Sequence, residues 1–81
     1  MPREVVFLPE AIEDARDAYR WYESKELGLG EDFYRTLSVA VSYVSSNPET
    51  PRVVYRNYRR VLLRRFPYAL LYRTEDRLIY V

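Results

Sequence analysis

Arginine and tyrosine are the residue types in this sequence that are best able to do chemistry. The chain of 81 residues contains no histidine and no cysteine, which excludes thiolate nucleophiles, disulfides and the common zinc sites. Arginines and tyrosines are concentrated between Arg52 and Arg73. Arginine holds phosphate or carboxylate groups, and tyrosine stacks or donates a hydrogen bond. We therefore expect this stretch to be the working surface, with no metal site and no cofactor.

The charge of the chain is divided unequally along its length. The net charge is only +1, but residues 1–50 carry five basic and ten acidic side chains, a net charge of −5, and residues 51–81 carry eight basic and two acidic side chains, a net charge of +6. An electropositive region of this kind attracts an anionic partner. The alternative is that these arginines are merely solvated side chains on the outward face of a sheet.

Two helices are predicted between the first strand and the arginine-rich stretch. Apolar residues at intervals of three and four predict one helix from Pro9 to about Leu27 and a second from Glu31 to Asn47, where Pro48 disfavours helical geometry. The short glycine-containing connection predicts an antiparallel hairpin. The residues expected to pack on the sheet are Ile12, Ala15, Tyr19, Trp21 and Tyr22 in the first helix and Phe33, Leu37, Ala40, Val41 and Val44 in the second.

Strands are predicted on both sides of this hairpin, because the remaining runs are rich in β-branched and aromatic residues. Their short connections indicate antiparallel neighbours. The predicted fold is one α+β domain over residues 1–81, in the order β-α-α-β-β-β, with an antiparallel sheet and the N-terminal helical hairpin on one face. The predicted strands are Arg3–Leu8, Arg60–Arg65, Tyr68–Thr74 and Arg77–Val81, and residues 52–58 form an approach segment that can add another short strand.

Both faces of the predicted sheet are apolar. Val61-Leu62-Leu63 and Leu70-Leu71-Tyr72 do not alternate with polar residues, as a sheet that is wetted on one side normally would. A single helical hairpin covers one face, so the second is exposed or is covered by another chain. We expect a protein partner there; the alternative is that arginine and tyrosine stems shield this face unaided.

Four short segments of the chain form a recognisable pattern. They are Phe7-Leu8-Pro9-Glu10-Ala11, Trp21-Tyr22, Gly28-Leu29-Gly30 and Arg64-Arg65-Phe66-Pro67-Tyr68-Ala69-Leu70-Leu71-Tyr72. Together they resemble the ParE branch of the RelE/ParE toxin superfamily, over nearly the whole chain. The last segment is the most specific, since an arginine-rich strand leads into Phe-Pro-Tyr with a second tyrosine four residues later. The resemblance implies a toxin of a type II toxin–antitoxin pair with the same order of elements.

The resemblance also implies partners. A cognate antitoxin is expected to wrap the toxin in a hetero-oligomer, and DNA gyrase is the target of ParE-like members, which block it without known chemistry. RelE-like members instead cleave messenger RNA on the ribosome. That alternative is disfavoured because Ala69 stands where those members have a basic residue, and because the sequence stops at Val81, before the final strand and basic tail of the relatives. A third possibility is a shortened, nontoxic interaction module.

The expected site residues are the arginines and tyrosines of the same stretch. Arg64 and Arg65 are expected to point to opposite faces of a strand, and Tyr68 and Tyr72 to share a face. The acidic residues Glu10, Glu13, Asp14 and Asp17 are expected to form a solvated helical face. The expected binding residues are Arg52, Arg56, Arg59, Arg60, Arg64, Arg65, Tyr68, Tyr72 and Arg73, and a ribonuclease would use Arg59, Arg60, Arg65 and Tyr72.

The expected location of the protein is the cytoplasm. The N-terminal residues do not contain the long apolar core of a signal peptide. No apolar run approaches the roughly 18 residues that a membrane span needs. The lack of cysteine fits a reducing compartment.

Overall fold

Two helices lie against one face of a five-stranded sheet. The computed structural model describes residues 3–75 and 78–81. The predicted α+β class and the helical hairpin that precedes the main strands are confirmed. The elements are β1 (Glu4–Val6), α1 (Pro9–Lys25), α2 (Leu29–Ser46), β2 (Val53–Tyr55), β3 (Tyr58–Leu62), β4 (Ala69–Glu75) and β5 (Leu78–Tyr80).

The sheet has the strand order β1-β5-β4-β3-β2. β2 to β5 form an antiparallel meander, as their short connections predict. β1 pairs in parallel with β5, with Glu4 opposite Leu78, so the sheet is mixed. The approach segment supplies β2, which pairs irregularly with β3. The predicted turn at Glu75-Asp76 and the start of the last predicted strand at Arg77 fall partly outside the described residues.

The two helices are joined tightly at Gly28, which has a left-handed φ of 90°. The carboxylate of Glu23, near the end of α1, accepts the backbone N–H groups of Gly28 at 3.0 Å and of Gly30 at 2.9 Å. It therefore satisfies donors at the start of α2 that have no partner within that helix. Gly30 allows the helices to approach closely, because a Cβ there would lie 2.9 Å from the backbone oxygen of Tyr19.

The core lies between the hairpin and the sheet. α2 makes the contacts with β1, β3 and β4, whereas α1 packs mainly against α2. Trp21 was expected to pack against the sheet, but it is 56% exposed, whereas Tyr22 is only 8% exposed. Successive helical residues point about 100° apart, so when Tyr22 faces inward Trp21 lies at or beyond the edge of the buried stripe. The buried residues are Ala18, Tyr22, Phe33, Ala40, Val44, Leu63, Phe66, Leu70, Tyr72 and Ile79.

Candidate binding surface

The side of the sheet that faces away from the helices forms a continuous surface, which we call the outer face. Leu70 and Tyr72 of β4 are buried against the helical layer, so the residues between and beside them point the opposite way. The cross-strand register pairs Arg60 with Leu71 and Leu62 with Ala69. The outer face therefore consists of Tyr58, Arg60, Leu62, Ala69, Leu71 and Arg73.

Two leucines dominate the exposed apolar area of the outer face. Leu62 is 68% exposed and Leu71 is 50% exposed. Arg60, directly opposite Leu71, is exposed as well. These leucines were not among the expected binding residues, although the two-sided apolar pattern of β3 and β4 was the signal for them. In the isolated chain the second face of the sheet is thus open.

The side chains of Tyr72 and Arg59 lie on the helical side of the sheet, where they stabilise the segment that connects α2 with β2. Tyr72 is 0% exposed, and its hydroxyl donates to the carbonyl oxygen of Pro48 at 2.7 Å. Arg59 donates to the carbonyl oxygens of Glu49 at 2.9 Å and Pro51 at 2.6 Å. Tyr72, one of the expected binding residues, is therefore enclosed in this structure rather than presented to a partner or to RNA, and Arg59 is committed to backbone contacts.

The environment of Tyr72 also fixes its protonation. Burial raises the pKa of the Tyr72 hydroxyl above its ordinary value, and this outweighs the lowering effect of the Arg59 guanidinium on the same pKa. The hydroxyl is accordingly neutral and acts as a hydrogen-bond donor near neutral pH. A group that is enclosed and already bonded in this way is not available to move a substrate proton.

Arg64 and Arg65 lie in the loop between β3 and β4 rather than in a strand. They do not point to opposite faces of a strand as expected, because β3 ends at Leu62 and Arg65 has a left-handed φ of 69°. Both are exposed. The guanidinium of Arg65 lies 3.6 Å from the Asp32 carboxylate, an ion pair at the surface that contributes little stability.

The Phe-Pro-Tyr segment after these arginines anchors the loop to the helices. Phe66 is 7% exposed, and its ring packs edge-on against Tyr22 at 4.8 Å and Phe33 at 5.4 Å between centroids. Tyr68 is half-covered: it is 42% exposed, and its ring lies 5.5 Å from that of Phe33. The Phe-Pro-Tyr part of the sequence pattern is therefore anchored by Phe66, whereas Pro67 and Tyr68 are exposed.

The remaining expected arginines occupy separate positions. Arg56 lies in the two-residue turn between β2 and β3, with a φ of 50°, and its guanidinium stacks on Tyr55 at 5.3 Å. Arg52 is exposed just before β2. Arg73 forms an ion pair with Glu75 that raises the pKa of the Arg73 guanidinium. The same guanidinium lies 4.6 Å from the centre of the Tyr80 ring.

The arginines thus follow β3 from one end to the other instead of converging. Arg56 precedes this strand, Arg60 lies within it, and Arg64 follows it. A five-residue strand extends over about 16 Å. Arginines spaced over that distance form a strip suited to an extended surface, whereas a catalytic phosphate site needs several cations at one point.

No protein-family model matches the chain, and no curated protein matches it. Among residues 3–75 and 78–81, no group of acidic, histidine or cysteine side chains is placed to hold a metal ion. Within the same ranges, no helix is long and apolar enough to cross a membrane. The outer face, with its exposed leucines beside Arg60, is the feature on which a function can be argued.

Proposed function

We propose that this protein is a ParE-like toxin of a type II toxin–antitoxin pair, which acts in the cytoplasm by binding DNA gyrase and is neutralised by a cognate antitoxin. The observation that carries the proposal is the outer face, where Leu62 and Leu71 are exposed beside Arg60. Apolar side chains bordered by arginine are typical of protein–protein interfaces.

Binding explains this site better than ribonuclease chemistry does. A nuclease that attacks through the 2′-hydroxyl needs a proton acceptor within hydrogen-bond reach of that group and several cations near the phosphate. The hydroxyl of Tyr72 is enclosed and bonded to Pro48, and the guanidinium of Arg59 is bonded to backbone carbonyls. Of the four residues expected for ribonuclease chemistry, only Arg60 and Arg65 remain exposed.

The charge of the C-terminal part fits a partner with an acidic surface. Residues 51–81 carry a net charge of +6, and Arg52, Arg60 and Arg64 form no ion pair with any residue that the structure describes. Unpaired arginines at an interface speed association with an acidic partner and favour the correct orientation. An antitoxin that covers the outer face would block access to gyrase directly.

Growth of bacteria after induced expression of this protein tests the proposal. We expect arrest of growth with DNA-damage signalling and without cleavage of translated messages. Arrest with message cleavage would instead indicate the ribosome-dependent ribonuclease, and normal growth at high expression would indicate a nontoxic interaction module. Either of those two results would overturn the proposal.

A matched pair of variants locates the surface that acts. Leu62→Glu places a charge on the outer face, and Val39→Glu places the same charge on α2; the two side chains are 68% and 69% exposed. We expect the first to abolish growth arrest and the second to retain it. Thermal unfolding of both purified variants checks that each is folded. Equal toxicity of the two would exclude the outer face as the target-binding surface.

A further inference from the structure

Two arginines lie side by side where the chain enters β2. The cross-strand register pairs Val53 with Arg59, which brings the preceding Arg52 directly opposite Arg60. The backbone N–H of Arg60 donates to the carbonyl oxygen of Arg52 at 3.4 Å, as is expected of such a pair. Side chains directly opposite each other in an antiparallel pair stand on the same face, with Cβ atoms about 5 Å apart. Arg52 therefore projects beside Arg60, on the side of the outer face.

This pair of like charges is not neutralised by an acidic residue nearby in the chain. Residues 50–74 contain no aspartate and no glutamate, and the preceding Glu49 pairs with Arg3 at 3.4 Å. Neither Arg52 nor Arg60 forms an ion pair within the part of the chain that the structure describes. Like charges directly opposite each other destabilise a sheet. The pair is therefore unfavourable for the isolated chain.

A third arginine of the outer face has the counter-charge that this pair lacks. Arg73 forms an ion pair with Glu75, two residues further along β4. The positive charge of Arg73 is thus balanced within the chain. Arg52 and Arg60 have no such counter-charge among the described residues, so an anionic partner is able to satisfy both of them.

The arginine pair belongs to a row of side chains that crosses three strands. Arg60 is directly opposite Leu71 of β4, so Arg52, Arg60 and Leu71 follow one another across the sheet. Neighbouring strands are about 4.8 Å apart, which is close to the rise of about 5.4 Å for one turn of an α-helix. All three side chains are exposed. The row therefore presents two positive charges and then an apolar group, spaced as the turns of a helix are.

The chemistry of this row favours an acidic protein surface over a phosphate backbone. A guanidinium holds one carboxylate through two parallel hydrogen bonds, so two neighbouring arginines match two neighbouring carboxylates. Leu62 and Leu71 are exposed in the same area by 68% and 50%. Apolar side chains bordered by arginine are matched by a protein partner, whereas a phosphate backbone offers mainly charged oxygen atoms.

We propose that the pair formed by Arg52 and Arg60 determines the specificity of the outer face by binding two carboxylates that lie one turn apart on a helix of the target. An apolar side chain on the next turn of that helix packs against Leu71. The target helix thus has acidic residues at positions i and i+4 and an apolar residue at i+7 or i+8. This inference rests on the proposed function, because gyrase is the target there, and it adds the kind of surface that is selected.

Thermal unfolding tests the arginine pair without any target. Arg52→Gln removes one of the two like charges, so we expect Tm to rise by about 1–4 °C at low salt and by less in about 1 M sodium chloride, where the repulsion is screened. The rise should disappear when Arg60 is already replaced by glutamine. Arg16→Gln changes an exposed arginine of α1 and should show no such salt-dependent rise. A salt-independent fall of Tm in Arg52→Gln would contradict the repulsion.

Inhibition of supercoiling by purified gyrase tests the pair against the proposed target. Arg52→Gln and Arg60→Gln should each need at least about tenfold more protein for half-maximal inhibition. Arg52→Lys keeps the charge but not the two parallel hydrogen bonds, so its potency should be intermediate. Arg16→Gln should inhibit as the original protein does. Equal potency of all these variants would refute the inference and leave the proposed function intact, whereas no inhibition by the original protein would refute the proposed function.

A synthetic helix tests the recognition independently of gyrase. The probe is an alanine-based peptide of about 20 residues, with glutamates at i and i+4 and a leucine at i+8. The control peptide has the same composition, with its glutamates at i and i+2 on different faces of the helix. The readout is the NMR signals of the Nε–H groups of Arg52 and Arg60. We expect both signals to shift, and the probe to bind at least about fivefold more tightly than the control.

The peptide experiment also includes the outcomes that would overturn the proposal. Arg52→Gln should lose most of the binding of the probe, and Arg16→Gln should retain it. Equal binding of the two peptides, or no binding of either, would contradict the proposal, as would shifts confined to other arginines. Inorganic phosphate is titrated at matched ionic strength; larger shifts of Arg52 and Arg60 with phosphate than with the probe would identify a phosphate site instead.

Discussion

Replacing Tyr72 by phenylalanine separates a structural role of this residue from a catalytic one. Its side chain is 0% exposed and its hydroxyl donates to Pro48 at 2.7 Å. Tyr72→Phe keeps the ring and removes only this hydrogen bond, which leaves a half-buried carbonyl unpaired. We expect the free energy of unfolding to fall by about 1 kcal/mol, which lowers Tm by about 4–8 °C in a chain of this size.

The assay combines thermal unfolding of the purified variant with growth after induced expression. A residue that acts only in the fold should allow full growth arrest once the variant is folded. Tyr72→Ala is less informative, because removal of a buried ring costs about 3–5 kcal/mol and is able to unfold so small a domain. An unchanged Tm together with loss of growth arrest in Tyr72→Phe would refute the reasoning and assign Tyr72 to chemistry.

The same residue predicts how stability depends on pH. Burial raises the pKa of the hydroxyls of Tyr72 and Tyr22 in the folded chain. A raised folded pKa means that this contribution to stability is fully present below the unfolded pKa of about 10 and is lost as pH rises through the folded value. We therefore expect the free energy of unfolding in urea to decline from about pH 10 upward, and less steeply in Tyr72→Phe. Identical pH dependence in the two proteins would contradict this.

Two further substitutions test the helical hairpin. Gly30→Ala would gain about 1 kcal/mol from helix propensity, but its Cβ would lie 2.9 Å from the backbone oxygen of Tyr19. Because this close contact costs about 1–3 kcal/mol, we expect the Tm of the variant to be lower. A higher Tm would show that the two helices separate easily. Glu23→Ala removes the acceptor of the Gly28 and Gly30 N–H groups and should lower the free energy of unfolding in urea by about 1–2 kcal/mol. As a control, Glu26→Ala at an exposed position should change it by less than about 0.5 kcal/mol. Equal effects of the two substitutions would exclude the capping role of Glu23.

The limits of the helices were predictable because their signals are local. Pro9 begins α1 where expected, and the glycines and Pro48 end the helical patterns within two residues of the observed limits. The parallel pairing of β1 with β5 has no local signal. It depends on where the helical hairpin returns the chain, which is a property of the packed domain.

The direction of each strand side chain was less predictable than the strands themselves. Because strand side chains alternate, Leu71 must point to the opposite face of the sheet from Leu70 and Tyr72. All three residues are apolar, so the sequence does not show which of the two faces packs against the helices. Packing decides this, and it buries Tyr72. Arg65 shows a different limit: β3 ends at Leu62, and the left-handed φ of 69° in the loop that follows falls on a residue type that gives no sign of it.

The central claim is that this protein acts by binding gyrase through the outer face of its sheet. Supercoiling of relaxed plasmid by purified gyrase, with increasing amounts of the purified protein, tests it most directly. We expect inhibition by the original protein and by Val39→Glu, but not by Leu62→Glu. Full supercoiling at a large molar excess of the original, folded protein would contradict the claim.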